Sequence, residues 1–137
     1  MKNFCVVLIV MVFVCGLQAQ DRPLLKANVP FSFMAENVSF PAGSYRVYLV
    51  DPLNIVELQR LDGGHSTFVR GLPKQKRSGG KTELVFLRID DQFFLTEIHE
   101  SDRDTQRALP LGKLAREMEA RHRGGPGVQS VVAVSAH

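Results

Sequence analysis

Lys81-Thr-Glu-Leu-Val-Phe-Leu-Arg-Ile-Asp90 and Asp91-Gln-Phe-Phe-Leu-Thr-Glu-Ile-His-Glu-Ser101 are two strand-like runs that meet at a pair of aspartates. A tight turn at Asp90-Asp91 sets Ile89 opposite Gln92, Leu87 opposite Phe94 and Val85 opposite Thr96 on one face. The other face then pairs Arg88 with Phe93, Phe86 with Leu95 and Leu84 with Glu97. Successive strand side chains point to opposite faces, so large apolar groups on both faces mean that both must be covered. Cross-strand pairs of this kind hold a ladder together and place the hairpin in the middle of a small β-fold.

The flanking sequence supplies the covers. Upstream, Ala27, Val29, Phe31 and Phe33 alternate with polar or small residues, the period of a half-buried strand, and Pro30 marks an edge or a bulge. Turn chemistry follows at Glu36-Asn37, Pro41-Ala42-Gly43, Asp51 to Asn54 and Asp62-Gly63-Gly64, with short apolar runs between. Turns at this spacing, without a long intervening helix, indicate an antiparallel β-sandwich or small barrel of about seven strands. Pro73 to Gly80 reads as a long solvated loop, and Ser101 to Arg107 as a charged turn. Leu111, Leu114, Ala115 and Met118 then share one face of a helix, a lid for the second apolar face of the hairpin. Gly124-Gly125-Pro126-Gly127 ends that helix, and residues 124–137 read as a flexible tail, with a late edge strand over the valine-rich residues 128–136 as the alternative. The class is thus all-β (minor α), with one C-terminal amphipathic helix.

At the N-terminus, Lys2 precedes a nearly unbroken apolar run from Phe4 to Leu17, and Ala19 provides the small residue before a cleavage point. Residues 1–19 read as a signal peptide, which makes the protein exported, to the periplasm or beyond. The alternative is a retained anchor, though the run falls short of the roughly 20 apolar residues that a spanning helix needs. Residues 20–123 then form a single β-rich domain ending in the helix. Both cysteines, Cys5 and Cys15, lie inside the leader, so the exported part carries no disulfide and no thiol chemistry. The formal charge is +3, part of it from Lys2, and there is no tryptophan. Without basic residues interleaved with aromatics, nucleic acid is not an expected partner.

Three pieces occur together: Val29-Pro30-Phe31-Ser32-Phe33, Phe40-Pro41-Ala42-Gly43-Ser44-Tyr45-Arg46-Val47, and Leu84-Val85-Phe86-Leu87-Arg88 running into Asp91-Gln92-Phe93-Phe94-Leu95. With Leu109-Pro110 and a charged helix after them, the chain resembles a family of small, uncharacterised exported bacterial proteins across residues 24–120. That family's pattern is Pro-Phe-x-Phe, Pro-Ala-Gly-x-Tyr-x-Val and Gly-Asp-x-Tyr-Phe-Leu. Asp90 stands where its members tend to have glycine. The resemblance implies export and a β body, and brings no activity and no catalytic residues.

Candidate chemistry is thin. Ser78-Gly79-Gly80-Lys81-Thr82 lacks the first glycine of a phosphate loop, since Gln75 stands there, and a strand follows where a helix is required. Glu97, His99, Glu100, Asp102 and Asp104 are the densest group of ligand and acid–base side chains. Glu97 and His99 share a strand face and are weak metal candidates, two ligands where a site needs three or four. His65, His122 and His137 have nothing to bring them near. No Gly-x-Ser-x-Gly elbow exists, and Ser66 beside His65 is a turn neighbour. Lys74, Lys76, Arg77 and Lys81 form a basic patch suited to an anionic surface. Asn37-Val38-Ser39 matches a glycosylation acceptor.

The expectation is a non-catalytic exported protein, without cofactor, that binds an envelope component, a partner protein or a small apolar ligand near Phe31, Phe33, Phe86 and Phe94. The alternatives are a small hydrolase or metal-dependent enzyme using Glu97 and His99, and an envelope protein anchored by its uncleaved N-terminus.

Overall fold

A computed structural model of the chain describes residues 23–50, 53–74, 80–101, 105–123 and 129–137. The expected leader, both cysteines, Lys76, Arg77, Asp102 and Asp104 lie outside those residues. Pro30 divides the first alternating run in two. Leu25–Val29 forms β1 and Phe33–Ala35 forms β2, and the two belong to different sheets. Proline has no N–H to give to a ladder, so the chain leaves one sheet there and enters the other. Glu36-Asn37 turns it back as β3 (Val38–Phe40). A meander follows: β4 (Gly43–Val50), β5 (Ile55–Arg60) and β6 (Ser66–Arg70). The remaining elements are β7 (Leu72–Pro73), β8 (Glu83–Ile89), β9 (Gln92–Glu100), β10 (Thr105–Ala108), α1 (Lys113–His122) and β11 (Gln129–Ser135).

One sheet has the order β1-β4-β5-β6. The other runs β11-β8-β9-β10-β7, with β2 parallel to β9 at Met34 and Phe94 and β3 beyond it. Both sheets are open and face one another, so the sandwich-like arrangement is found and the closed barrel is not. Among the described residues there are eleven strands rather than about seven: Pro30 and Gly71 each break one expected strand into two, and β10 and β11 form outside the expected strands. At Gly71 the chain passes so close over Val56 that a Cβ would collide with that side chain. β6 and β7 thus carry the chain from one sheet to the other at this corner. At the opposite corner Ala136 bridges Ala27, and Lys26 and His137 exchange backbone hydrogen bonds.

The Pro41-to-Val47 piece is a corner brace. Tyr45 and Val47 are fully buried, and the Tyr45 hydroxyl donates to the Pro41 carbonyl four residues back. That bond gives a buried phenol its partner and fixes the entry of β4. Between the sheets, Leu25, Val29, Val47, Val56 and Leu58 meet Phe33, Phe40, Leu84, Phe86, Leu95 and Ile98.

β8 and β9 form the expected central hairpin. Asp90 takes φ 53°, a left-handed conformation that aspartate tolerates better than most non-glycine residues. Ile89↔Gln92, Arg88↔Phe93, Leu87↔Phe94 and Phe86↔Leu95 pair as the sequence implies. The ladder then slips: Val85 faces Glu97 instead of Thr96, and Leu84 faces Ile98 instead of Glu97. Thr96 is the extra residue of a β-bulge, and its hydroxyl reaches the Val85 carbonyl at 3.1 Å. The bulge turns Ile98 into the core and Glu97 out of it.

The second face of the hairpin is covered by α1. Ile89 and Phe94 are buried against Ala115, with Met34, Leu87, Leu111 and Met118 around them. Leu114, expected on that face, instead faces outward and is exposed. Gly112 starts the helix hard against the Glu36 carbonyl, where a Cβ has no room. The side chain of Asn37 accepts from Lys113 N at 2.9 Å and so caps the helix from the β2–β3 turn.

Two other expectations are corrected. Residues 105–107, read as part of a charged turn, belong to β10, which pairs with β9. In the segment read as a flexible tail, residues 129–135 form β11, paired with β8 along its whole length. Alternate side chains Val132 and Val134 pack on the core, and that burial explains the ordering of a valine-rich run.

Candidate functional site

Beyond the bulge, the second face of the hairpin is no longer under α1. A cross-strand row there reads Glu83 on β8, His99 on β9 and Gln106 on β10. Glu97 lies in the adjacent row between Val85 and Ala108. Lys74 arrives from the end of β7, held by pairing of Pro73 with Arg107 and by a 3.2 Å bond from Lys74 N to the Gln106 carbonyl. With Gly80 these side chains line a cleft of about 380 Å3.

The charged groups form a chain of contacts. Lys74 Nζ donates to Glu97 Oε1. Glu97 Oε2 lies 2.7 Å from His99 Nε2, and His99 Nδ1 lies 3.4 Å from Glu83 Oε1. Each ring nitrogen of His99 therefore faces a carboxylate; a neutral ring can donate to one of them and an imidazolium to both. Burial works to raise the pKa of Glu97, but hydrogen bonds from Lys74 and His99, and their charges, outweigh it and hold the carboxyl below its ordinary range.

Glu97 and His99 point the same way, as a shared strand face requires, and lie in contact. The partners found for them are Lys74, Glu83 and Gln106. Glu83 was missed because its place opposite His99 depends on the bulge at Thr96, which no glycine or proline announces. Glu100, counted in the same acidic group, is buried, while Lys81 is exposed at the mouth of the hairpin. Lys74 lines the cleft and pairs with Glu97. The other histidines are held elsewhere: His122 Nε2 lies 2.9 Å from an Asp90 carboxylate oxygen, His137 pairs with β1, and His65 is exposed in the turn after β5. Among the described residues, no group of three or more His, Cys, Asp or Glu is arranged to hold a metal ion.

Four phenylalanines singled out for a ligand cavity do not line a common one. Phe31 stacks on Phe93 at 3.8 Å and meets Phe86 edge-on at 5.0 Å, and Phe33 packs on Phe40, Tyr45 and Phe86. Phe94 is on the opposite face, under α1. These rings fill one another's space as core. Arg88 lies over the outer side of the stack, 5.6 Å from the Phe93 ring centre.

No protein-family model matches the chain, and neither a curated protein nor a solved structure matches it significantly. Among the described residues, no helix is long and apolar enough to cross a membrane.

Proposed function

We propose that the protein is exported and acts by binding, without catalysis, and that it holds a polar envelope component in the cleft of Lys74, Gly80, Glu83, Glu97, His99 and Gln106. The observation that carries this reading is the mutual engagement of the charged groups. Glu97 has one oxygen on Lys74 and the other on His99, and His99 has its second nitrogen toward Glu83. A catalytic reading would be favoured by a lone pair aimed at a reacting group. Here the charged atoms are turned toward one another, an arrangement suited to presenting a fixed pattern of donors and acceptors to a ligand. Membership of the small exported family suggested by the Pro-Phe-x-Phe and Pro-Ala-Gly-x-Tyr-x-Val pieces is part of the same proposal, as is removal of residues 1–19.

Two measurements test it. The intact mass of the exported protein should correspond to a chain starting at Gln20; a full-length mass favours the anchored alternative. Co-sedimentation with an isolated envelope fraction should retain the wild-type protein and lose at least about ten-fold in the Lys74→Ala/His99→Ala double variant. Equal retention of the two proteins, or none of the wild type, overturns the assignment of the cleft.

A further inference from the structure

The four-stranded sheet buries Leu25, Val47, Val56, Leu58 and Val69 against the other sheet. Alternation turns the residues between them to the opposite face, and none of those is buried. Two neighbouring rows on that outer face differ in chemistry. In one, register places Lys26 beside Arg46, Arg46 beside Gln59 and Gln59 beside Ser66, so hydrogen-bond donors run across all four strands. In the next, Tyr48 is beside Glu57 and Glu57 beside Phe68, which sets an aromatic ring on each side of a carboxylate. Phe68 is 60% exposed, and the Tyr48 hydroxyl reaches toward the donor row, 3.4 Å from Gln59 Oε1.

The donor row opposes folding at one point. Lys26 and Arg46 are like charges directly opposite one another on neighbouring strands, which is a destabilising pair. Among the described residues, neither forms an ion pair that would offset it. Arg70, a further cation on this face, is already held by Glu36 at 3.2 Å. Glu57 stands opposite the two rings rather than opposite either Lys26 or Arg46. An anion placed between Lys26 and Arg46 relieves their repulsion.

We propose that this face is a second binding surface, separate from the cleft on the other sheet, and that its ligand is an acidic polysaccharide lying across the strands. Carboxylate groups of the polymer sit between Lys26 and Arg46. Its hydroxyls exchange hydrogen bonds with Gln59, Ser66 and Glu57. The C–H faces of its sugar rings lie on Tyr48 and Phe68, since an aromatic ring offers a flat apolar face with a negative quadrupole to those polarised bonds. The two aromatic residues are two strand spacings apart, roughly 10 Å, which is the repeat of two sugar units in an extended chain.

Other polymers fit less well. The centre of a protein interface is depleted in charge, whereas Lys26, Arg46 and Glu57 occupy the middle of this face. A nucleic acid carries a phosphate at every unit and is held by cations along its length. Here a carboxylate lies between the two rings on which bases would stack; it repels phosphate and accepts from a sugar hydroxyl.

Affinity electrophoresis of the purified protein through gels containing polygalacturonate tests the surface. Retardation should be at least about ten-fold stronger than with neutral dextran, with poly-L-glutamate, which has the charge without the sugar, or with poly(dT). Phe68→Ala and Arg46→Gln should each weaken it at least about ten-fold. Arg46→Gln also removes one member of the like-charge pair, so its unfolding midpoint should equal or exceed that of the wild type, and lost binding is then not lost folding. The Lys74→Ala/His99→Ala variant of the cleft should bind polygalacturonate as the wild type does, which keeps the two sites distinguishable. In the unmutated protein, ring resonances of Tyr48 and Phe68 should shift on titration with trigalacturonate, and those of Phe94 should not. No retardation of the wild type, equal retardation by poly-L-glutamate or poly(dT), or unchanged binding in either Phe68→Ala or Arg46→Gln overturns the proposal. Loss of binding in the cleft variant, or unmoved Tyr48 and Phe68 resonances, overturns it as well.

Discussion

The second face of the β8–β9 hairpin has two ends, and they differ in chemistry although they share the same two strands. Near the Asp90-Asp91 turn, Ile89 and Phe94 are buried under Ala115 of α1. Beyond Thr96, the same face carries Glu83, Glu97 and His99 beside an open cleft. The division is set by two short features: the length of α1, which covers only the turn end, and the bulge, which changes the parity of every residue after it. Without that extra residue Glu97 would sit opposite Leu84 and point at the aromatic core, where a carboxylate has no aqueous partner. One end thus contributes stability and the other displays polar groups at little cost to packing.

The largest expected effect breaks the covered end. Phe94→Ala removes a ring that is nearly fully buried between β9 and α1 and should cost about 3–5 kcal/mol in denaturant unfolding. His99→Ala, on the same strand but past the bulge, removes a partly buried ring held by polar contacts and should cost about 1 kcal/mol. Equal losses would show that the polar end is structural after all. Next in size is Gly112→Ala. Its new Cβ meets backbone of Glu36, which cannot swing aside as a side chain can, so α1 or the β2–β3 turn must shift. A loss of about 1–3 kcal/mol is expected, with increased dye binding as Ile89 and Phe94 are uncovered.

Much of the covered end is legible in the sequence. Alternation through Leu84 to Ile89 and Gln92 to Leu95 gives the turn and its nearest four pairs, because register close to a two-residue turn is fixed locally. The i, i+3, i+4, i+7 spacing of Leu111, Ala115 and Met118 gives the helix and the face it covers, apart from Leu114. The open end is less legible. Thr96 looks like any strand residue, and its bulge is set by contacts distant in sequence, including Leu109 N donating to the Thr96 carbonyl at 2.8 Å. β11 is obscured by the glycine-rich run before it, and its order comes from pairing with β8, about forty to fifty residues away along the chain. Glu97 and His99 could be named from their spacing, but Lys74 and Glu83 join them only through register.

The helix cap gives a smaller and reversible effect. Asn37→Ala removes the acceptor for Lys113 N and should cost about 1 kcal/mol. Asn37→Asp keeps an acceptor and adds a negative charge at the helix N-terminus, so it should restore most of that loss. If both substitutions are equally harmful, Asn37 matters for the turn conformation rather than for α1.

The smallest effect concerns the open end and depends on pH. In the folded protein the Glu97 carboxyl is below its ordinary pKa of 4.5; burial opposes this, and Lys74 and His99 together overcome it. In the unfolded chain those partners are gone and the carboxyl titrates near its ordinary value. As pH falls past 4.5 the unfolded chain therefore takes up the proton first, and the folded state loses its relative advantage. The stabilisation from Glu97 is complete above that pH and is lost as pH falls through the lower, folded-state pKa. Unfolding free energies measured from pH 7 downward should show this acid loss in the wild type and a shallower one in Glu97→Gln. Lys74→Met should also flatten the curve, since it removes the partner that donates to Glu97 Oε1 and leaves only His99 to favour the charged form. Phe94→Ala, at the other end of the same face, should lower stability at every pH without changing the slope. A slope change in Phe94→Ala as large as that in Glu97→Gln would mean that the two ends do not act separately.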